Sequence, residues 1–330
     1  MAGIMKAPFP YFGGKASVAS IVWQALGQPK AYLEPFFGSG AVLLARPGGA
    51  HGEETVCDAD GFIANVWRGI QFAPDEIARW CDWPISHIDL MARRKELIKN
   101  EERLLENLIA DPLWYDAVLA GYWIWAASCW IGAGLTRPNA MPDMTREAGV
   151  HATGKRPTLT EFAEQGIHAG PIPSISHAPN TATRSDAMYS WMRALSDRLR
   201  AVRVVCGDWT RICGGDWQDH AGVCGMFFDP PYGVSDRDSG IYHHESLTVA
   251  ADVNAWVLDR GARSSYRIVL AGYREEHQNL LSAGWTERIW KACGGYGNRS
   301  KSKGRTGNQN ENRETLFFSP HCLINPMLDL

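Results

Sequence analysis

The tetrapeptide Asp229-Pro230-Pro231-Tyr232 follows an apolar run, Val223-Cys224-Gly225-Met226-Phe227-Phe228. A short run without alternation reads as a strand buried on both faces, as in a parallel sheet. The four residues then stand at the strand's carboxyl end, where open α/β sheets place their ligand sites. Two consecutive prolines can neither continue a ladder nor enter a helix interior, so they fix an extended loop. An acid, a carbonyl that no ladder uses and an aromatic ring are gathered in one small space. That set suits gripping a planar base by its amino group and its face. A surface turn opened by an aspartate would use the same residues, and both readings stand at this point.

The chemistry such a set could serve is attack by an exocyclic amine. The lone pair of an aromatic amine is delocalised into its ring, which makes it a poor nucleophile. Two acceptors on its N–H bonds, the Asp229 carboxylate and the Pro230 carbonyl, would draw it toward tetrahedral geometry. If the electrophile is already activated, alignment of nucleophile, electrophile and leaving atom is the main task left, and positioning can supply roughly 7–11 kcal/mol. Tyr232 would stack on the base.

Two glycine-bearing segments lie upstream, Pro10-Tyr11-Phe12-Gly13-Gly14-Lys15 and Ala31-Tyr32-Leu33-Glu34-Pro35-Phe36-Phe37-Gly38-Ser39-Gly40. Glycine lets a backbone approach a ligand closely. Gly38-Ser39-Gly40 lacks the third small residue of the dinucleotide fingerprint, and Phe9 stands where a P-loop needs its first glycine. Asp58 closes a second predicted strand, where an acid in dinucleotide-type folds accepts ribose hydroxyls. Asp60 competes with it for that role and for helix capping. Asp208 and Trp209 close a third strand, placed either to take an adenine ring by its amino group and face or to make a turn.

In order and spacing, these segments resemble the Dam-like class of DNA adenine-N6 methyltransferases. The resemblance is specific at the three motifs and looser over residues 7–70 and 201–320. It implies an α/β, Rossmann-like, S-adenosylmethionine-dependent methyltransferase core. The family's Gly-Gly-Lys and Glu-Pro-Phe-x-Gly-x-Gly segments build the cofactor pocket. Tyr11, Gly13, Gly14, Lys15, Glu34, Pro35, Phe36, Gly38 and Gly40 match them here, with Lys15 expected to neutralise the methionine carboxylate. Asp229, Pro230, Pro231 and Tyr232 match the segment that holds a target adenine flipped out of duplex DNA, which costs about a few kcal/mol. Cytosine N4 is chemically similar and stays open, although its enzymes more often carry Ser in place of Asp. Cytosine C5 would need a Pro-Cys nucleophile, and the chain has no such dipeptide. A non-catalytic DNA-binding relic of the fold is the rival from outside enzymology.

The elements that must position these residues follow from periodicity. Helices are expected over 16–27, from Ala41, over 62–71, through 74–110 and over 185–200 with Ser185 as N-cap. Strands are expected at 31–34, 55–58, 202–206, 223–228, 267–271 and 315–318, and their βαβ rhythm predicts a parallel sheet. The cluster Arg93-Arg94-Lys95-Glu96 reads as a solvated helix face. Residues 117–135 carry no charge but hold Trp123, Trp125 and Trp130 mid-segment, which favours a buried helix over a membrane span.

The catalytic domain is expected to comprise 1–79 and 184–330. An inserted, mainly helical and irregular target-recognition subdomain would occupy 80–183. A net charge of −3 and a pI near 6.4 give no global positive field, so any DNA surface must be local. Candidates are the basic, amide-rich stretch with Arg299, Lys301, Lys303 and Arg305, and Arg137 in the insertion. The tryptophan-rich segment around Trp130 is similar to those of phage-type adenine methyltransferases. The eight cysteines include no Cys-x-x-Cys pair, so reduced thiols and no metal are expected. Residues 1–6 have no apolar h-region. A cytoplasmic protein of a prokaryote or phage-infected cell, monomeric or weakly dimeric, is the expectation, serving restriction-modification or phage modification.

Overall fold

The computed structural model describes residues 5–11, 13–111, 113–130, 135–136, 184–232, 248–290 and 314–324. Its centre is a seven-stranded mixed sheet: β1 (Ala31–Glu34), β2 (Glu53–Asp58), β3 (Val202–Cys206), β4 (Cys224–Phe228), β5 (Tyr266–Tyr273), β6 (Thr286–Ile289) and β7 (Glu314–Phe318). The spatial order is β3-β2-β1-β4-β5-β7-β6. The first five strands run parallel, as the βαβ rhythm predicts. β7 is antiparallel to both β5 and β6, which departs from the all-parallel expectation. β6 carries exposed Arg288 and Ile289, so its apolar pattern is too weak to read.

The strand interiors show why two layers of helix are needed. Successive residues point to opposite faces. On β4, Phe227 joins one hydrophobic cluster, while Met226 and Phe228 join the other. The first cluster is covered by α1 (Ala19–Leu26), α2 (Ala41–Leu44), α3 (Gly61–Phe72), α4 (Pro74–Cys81), α5 (His87–Lys99), α6 (Glu101–Ala110), α7 (Ala117–Cys129) and α8 (Arg184–Leu199). The second is covered by α9 (Thr210–Cys213) and α11 (Val249–Arg260), with α12 (Asn279–Ser282) beside them. The short α10 (Trp217–His220) precedes β4.

α8 begins at Arg184, so Ser185 lies inside the helix and does not cap it. α7 is apolar on all sides and buried, as a helix without a polar face must be. Asp116 caps it by accepting from Leu119 N at 2.9 Å, and its backbone pairs with the Asn65 amide of α3 at 2.8 and 2.9 Å. Among the described residues, no helix is long and apolar enough to cross a membrane. The described part of segment 80–183 packs through α5, α6 and α7 into the same hydrophobic cluster as α3 and the sheet.

Arg93 and Arg94 correct the reading of a wholly solvated face. Arg93 is buried among the rings of Trp83, Tyr122 and Trp125, at 4.4–4.8 Å, and donates to Trp80 O at 2.9 Å. Arg94 donates to Leu135 O at 2.7 Å under the Trp130 ring. Aromatic faces accept a cation at modest cost. Lys95 and Glu96 are exposed, as the charge pattern predicts.

Candidate active site at the sheet switch point

The chain leaves β1 toward β2 and β3 on one side and enters β4 and β5 on the other. The strand order therefore reverses between β1 and β4, and a crevice at their carboxyl ends is the expected ligand position. A cavity of about 330 Å³ lies there, lined in part by Tyr11, Gly13, Gly14 and Lys15 from the first glycine segment. Glu34, Pro35, Phe36, Phe37, Gly38 and Ser39 line it from the turn after β1. Asp58 and Asp60, then Asp208 and Trp209, close the far side, and Asp229 and Pro231 the near side. Five segments scattered along the chain meet in one cavity, within the size range of small-molecule sites.

The turn after β1 is shaped by two glycines in the left-handed region. Gly38 has φ +47°, and a Cβ there would sit 2.7 Å from Tyr11 Cε1. Gly40 has φ +64° and opens α2, with Phe37 Cζ 2.6 Å from any added Cβ. Neither position tolerates an L side chain without strain. Asp58 holds this turn by accepting from Gly38 N at 2.7 Å and from Asp60 N at 2.9 Å. Trp67 Nε1 donates to Gly38 O at 2.9 Å from α3. Asp60, not Asp58, is the N-cap of α3, accepting from Phe62 N at 2.8 Å. Burial, with the neighbouring Asp60 charge adding to it, raises Asp58 to about 7.

Glu34 is 2% exposed and accepts from Tyr32 Oη at 2.8 Å and Leu43 N at 3.2 Å. It thus ties β1 to the start of α2. Burial raises it to about 8, and the charges of Asp229 and Glu54 push the same way. Two carboxyls of a single cavity therefore hold protons near neutrality.

At the β3 end, Asp208 accepts from Thr210 N at 2.9 Å and from the Thr210 hydroxyl, so it shapes a turn while lining the cavity. Trp209 is buried against Phe36, Phe228 and Trp256, with ring centroids 6.2–6.4 Å away. The Cys57 thiol donates to Gly207 O at 3.3 Å, fastening this turn to β2. Burial raises Cys57 and Cys224, and Cys206 to about 11, so these thiols stay protonated.

The Asp229 end is electrostatically tied to the first glycine segment. Lys15 Nζ lies 2.9 Å from Asp229 Oδ2 and donates to Gly13 O at 2.7 Å. Lys15 thus joins the first glycine segment to the acid of the Asp-Pro-Pro-Tyr segment. Tyr232 Oη reaches Asp229 Oδ1 at 3.4 Å, and its ring packs on Tyr273 with centroids 4.5 Å apart. Tyr273, Glu314 and Trp290 carry no motif, and sequence reasoning missed them. Glu314 pairs with Tyr273 across β5 and β7, and Trp290 N donates to Glu314 O at 3.1 Å. Only the strand ends at Tyr273 and Glu314 could have flagged two of them. Arg137, Arg299, Lys301, Lys303 and Arg305 lie outside the described residues. Comparison with protein-family models and with curated proteins finds no match for this chain.

Proposed function

We propose that this chain is an S-adenosylmethionine-dependent DNA methyltransferase acting on the N6 amine of a flipped-out adenine. The observation that carries the reading is the convergence of the Gly-Gly-Lys, Glu-Pro-Phe-Phe-Gly-Ser-Gly and Asp-Pro-Pro-Tyr segments on one cavity at the β1/β4 switch point. Those are the segments on which the family resemblance rests.

The residues present fit the cofactor. Asp58 and Asp208 are carboxyls at the ends of β2 and β3, placed to accept ribose and adenine donors. Each carboxylate oxygen retains acceptor capacity beside its internal hydrogen bonds. Trp209 and Phe36 supply apolar ring surface. The raised Glu34 and Asp58 ionise more readily beside a cation, which favours a positively charged ligand. S-adenosylmethionine, when bound, supplies an activated methyl group on a sulfonium.

The protein's share of the chemistry falls to Asp229 and Pro230. The Asp229 carboxylate and the Pro230 carbonyl accept the two N–H bonds of the target amine and free its lone pair. With its lone pair freed, the amine would be held facing the methyl group that the cofactor would supply from its sulfonium. The proton that the nitrogen then sheds leaves by way of the Asp229 carboxylate. Tyr232, braced by Tyr273, limits where the base plane can lie. The test is transfer of a labelled methyl group from the cofactor to unmethylated DNA, followed by nucleoside analysis. N6-methyladenine supports the reading, N4-methylcytosine redirects it to the other exocyclic amine, and no transfer favours the non-catalytic relic.

A further inference from the structure

The Lys15 ammonium stands where an incoming amine has to bind. It is a nitrogen donor bound to Asp229 Oδ2 at 2.9 Å, with the Tyr232 ring centroid at 5.6 Å and the Trp290 centroid at 5.9 Å. A planar base gripped by Asp229 would place its own amino nitrogen against the same carboxylate and between the same rings. Lys15 is only 4% exposed, so it cannot simply swing into solvent. A buried ammonium needs a carboxylate wherever it goes. Glu314 Oε2, at the head of β7, lies 3.8 Å from Lys15 Nζ. The Glu314 backbone is held by its register with Tyr273 and by Trp290 N, which fixes the strand position that carries this second carboxylate.

Resting on the methyltransferase reading, we propose that Glu314 is a positioning residue that receives Lys15 when the target amine takes Asp229. Lys15 then acts as a gate on the amine subsite. The cation guards the Asp229 carboxylate against adventitious donors, and a base enters only by displacing it onto Glu314. The transfer is between two carboxylates that the ammonium already spans, so no covalent bond is made or broken, and the Asp229 carboxylate exchanges its ammonium donor for the N–H of the target amine. Tyr273 and Trp290 complete the subsite as its ring-bearing walls. A base stacked there keeps the dry surroundings that make the Lys15–Glu314 pair strong.

The experiment is steady-state methyl transfer to duplex DNA by Glu314→Gln and Glu314→Asp, with cofactor affinity measured alongside. Glutamine keeps the shape but cannot receive an ammonium as an ion pair. The expected result is a kcat about tenfold lower in Glu314→Gln, the size of an ordinary coupling between interacting sites. KM for DNA and cofactor affinity should be unchanged, and Glu314→Asp should restore most of kcat. A wild-type kcat in Glu314→Gln overturns the proposal. Loss of cofactor binding together with no recovery in Glu314→Asp also overturns it, because that pattern is structural. Absence of methyl transfer by the wild-type protein strikes the methyltransferase reading instead. The charge sharing is then read without DNA from the melting of Lys15→Met, Glu314→Gln and the double variant. Non-additive effects support the shared cation, and additive effects overturn it.

Discussion

The backbone N–H of Gly38 donates to Asp58 Oδ2 at 2.7 Å, so the acid that ends β2 holds the glycine turn that follows β1. One carboxylate thereby shapes the cavity wall and lines the cavity itself. Asp58→Ala should weaken S-adenosylmethionine binding and also destabilise the protein by about 1–3 kcal/mol, the cost of stranding a buried donor. Asp58→Asn should keep one acceptor for Gly38 N but lose that for Asp60 N, so it should cost less stability than Asp58→Ala while still losing affinity. Calorimetric titration with parallel urea unfolding separates the two effects. Gly38→Val should be the harsher change, because it combines a strained φ with a collision against the Tyr11 ring. Undiminished affinity in both Asp58→Ala and Gly38→Val would place the cofactor elsewhere.

On the methyltransferase reading, the raised carboxyls should make cofactor binding depend on pH. Asp58 stands at about 7 and Glu34 at about 8. A cation in the cavity stabilises their ionised forms, so binding near neutrality should release protons. Affinity should therefore rise as pH climbs through those two values. Titration calorimetry in buffers of different protonation enthalpy reads the release directly, and a heat independent of buffer would contradict it.

Stability without cofactor should move in the opposite sense. Both groups have folded values above their ordinary 3.8 and 4.5. Their stability contribution is complete below the ordinary values and is lost as pH rises through about 7 and about 8. His277, buried beside Asn254 and lowered to about 4 by burial, acts the other way, and its share is lost only as pH falls from its ordinary 6.5 through 4. Between neutrality and about 8 the carboxyls dominate, so the urea midpoint should fall across that interval. The fall should be smaller in Asp58→Asn.

Much of this arrangement could be read from the chain before any coordinates. β1, β2 and β4 announce themselves as short apolar runs, and the residues closing them, Glu34, Asp58 and Asp229, all line the cavity. Period and turn chemistry are local properties, so they survive in sequence. What sequence did not show is tertiary. Arg93 looks solvated until Trp83, Tyr122 and Trp125 close around it. Glu314 looks like the charged start of a strand until β7 inserts between β5 and β6 and brings it beside Lys15. Such placements depend on which strands pair, and pairing is not written in any window of residues.

Asp229→Ala should abolish methyl transfer, with a loss of about 10²–10³-fold or more expected for removing a group that acts on developing charge. Cofactor affinity should stay within a few fold, because Asp58, Asp208 and the glycine turn are untouched. The variant also strips Lys15 of its 2.9 Å partner, so Asp229→Asn is the better-balanced companion. Kinetics on unmethylated DNA and a cofactor titration decide the matter. Turnover like that of the wild type in either variant would remove Asp229 from the mechanism.

A buried triad behind the cavity gives the last prediction. Glu54 of β2 is bound by Arg46 at 2.8 Å and by Arg198 of α8 at 2.6 and 2.9 Å. Arg198 also donates to Leu43 O at 3.0 Å, while Glu34 accepts from Leu43 N at 3.2 Å. The same residue of α2 is therefore pinned from both sides, by the triad through its carbonyl and by the cavity's carboxyl through its N–H. Glu54→Ala should leave two buried guanidinium groups without their carboxylate and cost about 3–5 kcal/mol. The helix that follows the glycine turn should loosen with it, so cofactor affinity should fall although Glu54 lines no part of the cavity. Urea unfolding measures the first effect and calorimetry the second. A destabilised variant that binds cofactor as tightly as the wild type would show that α2 is held in place by packing alone.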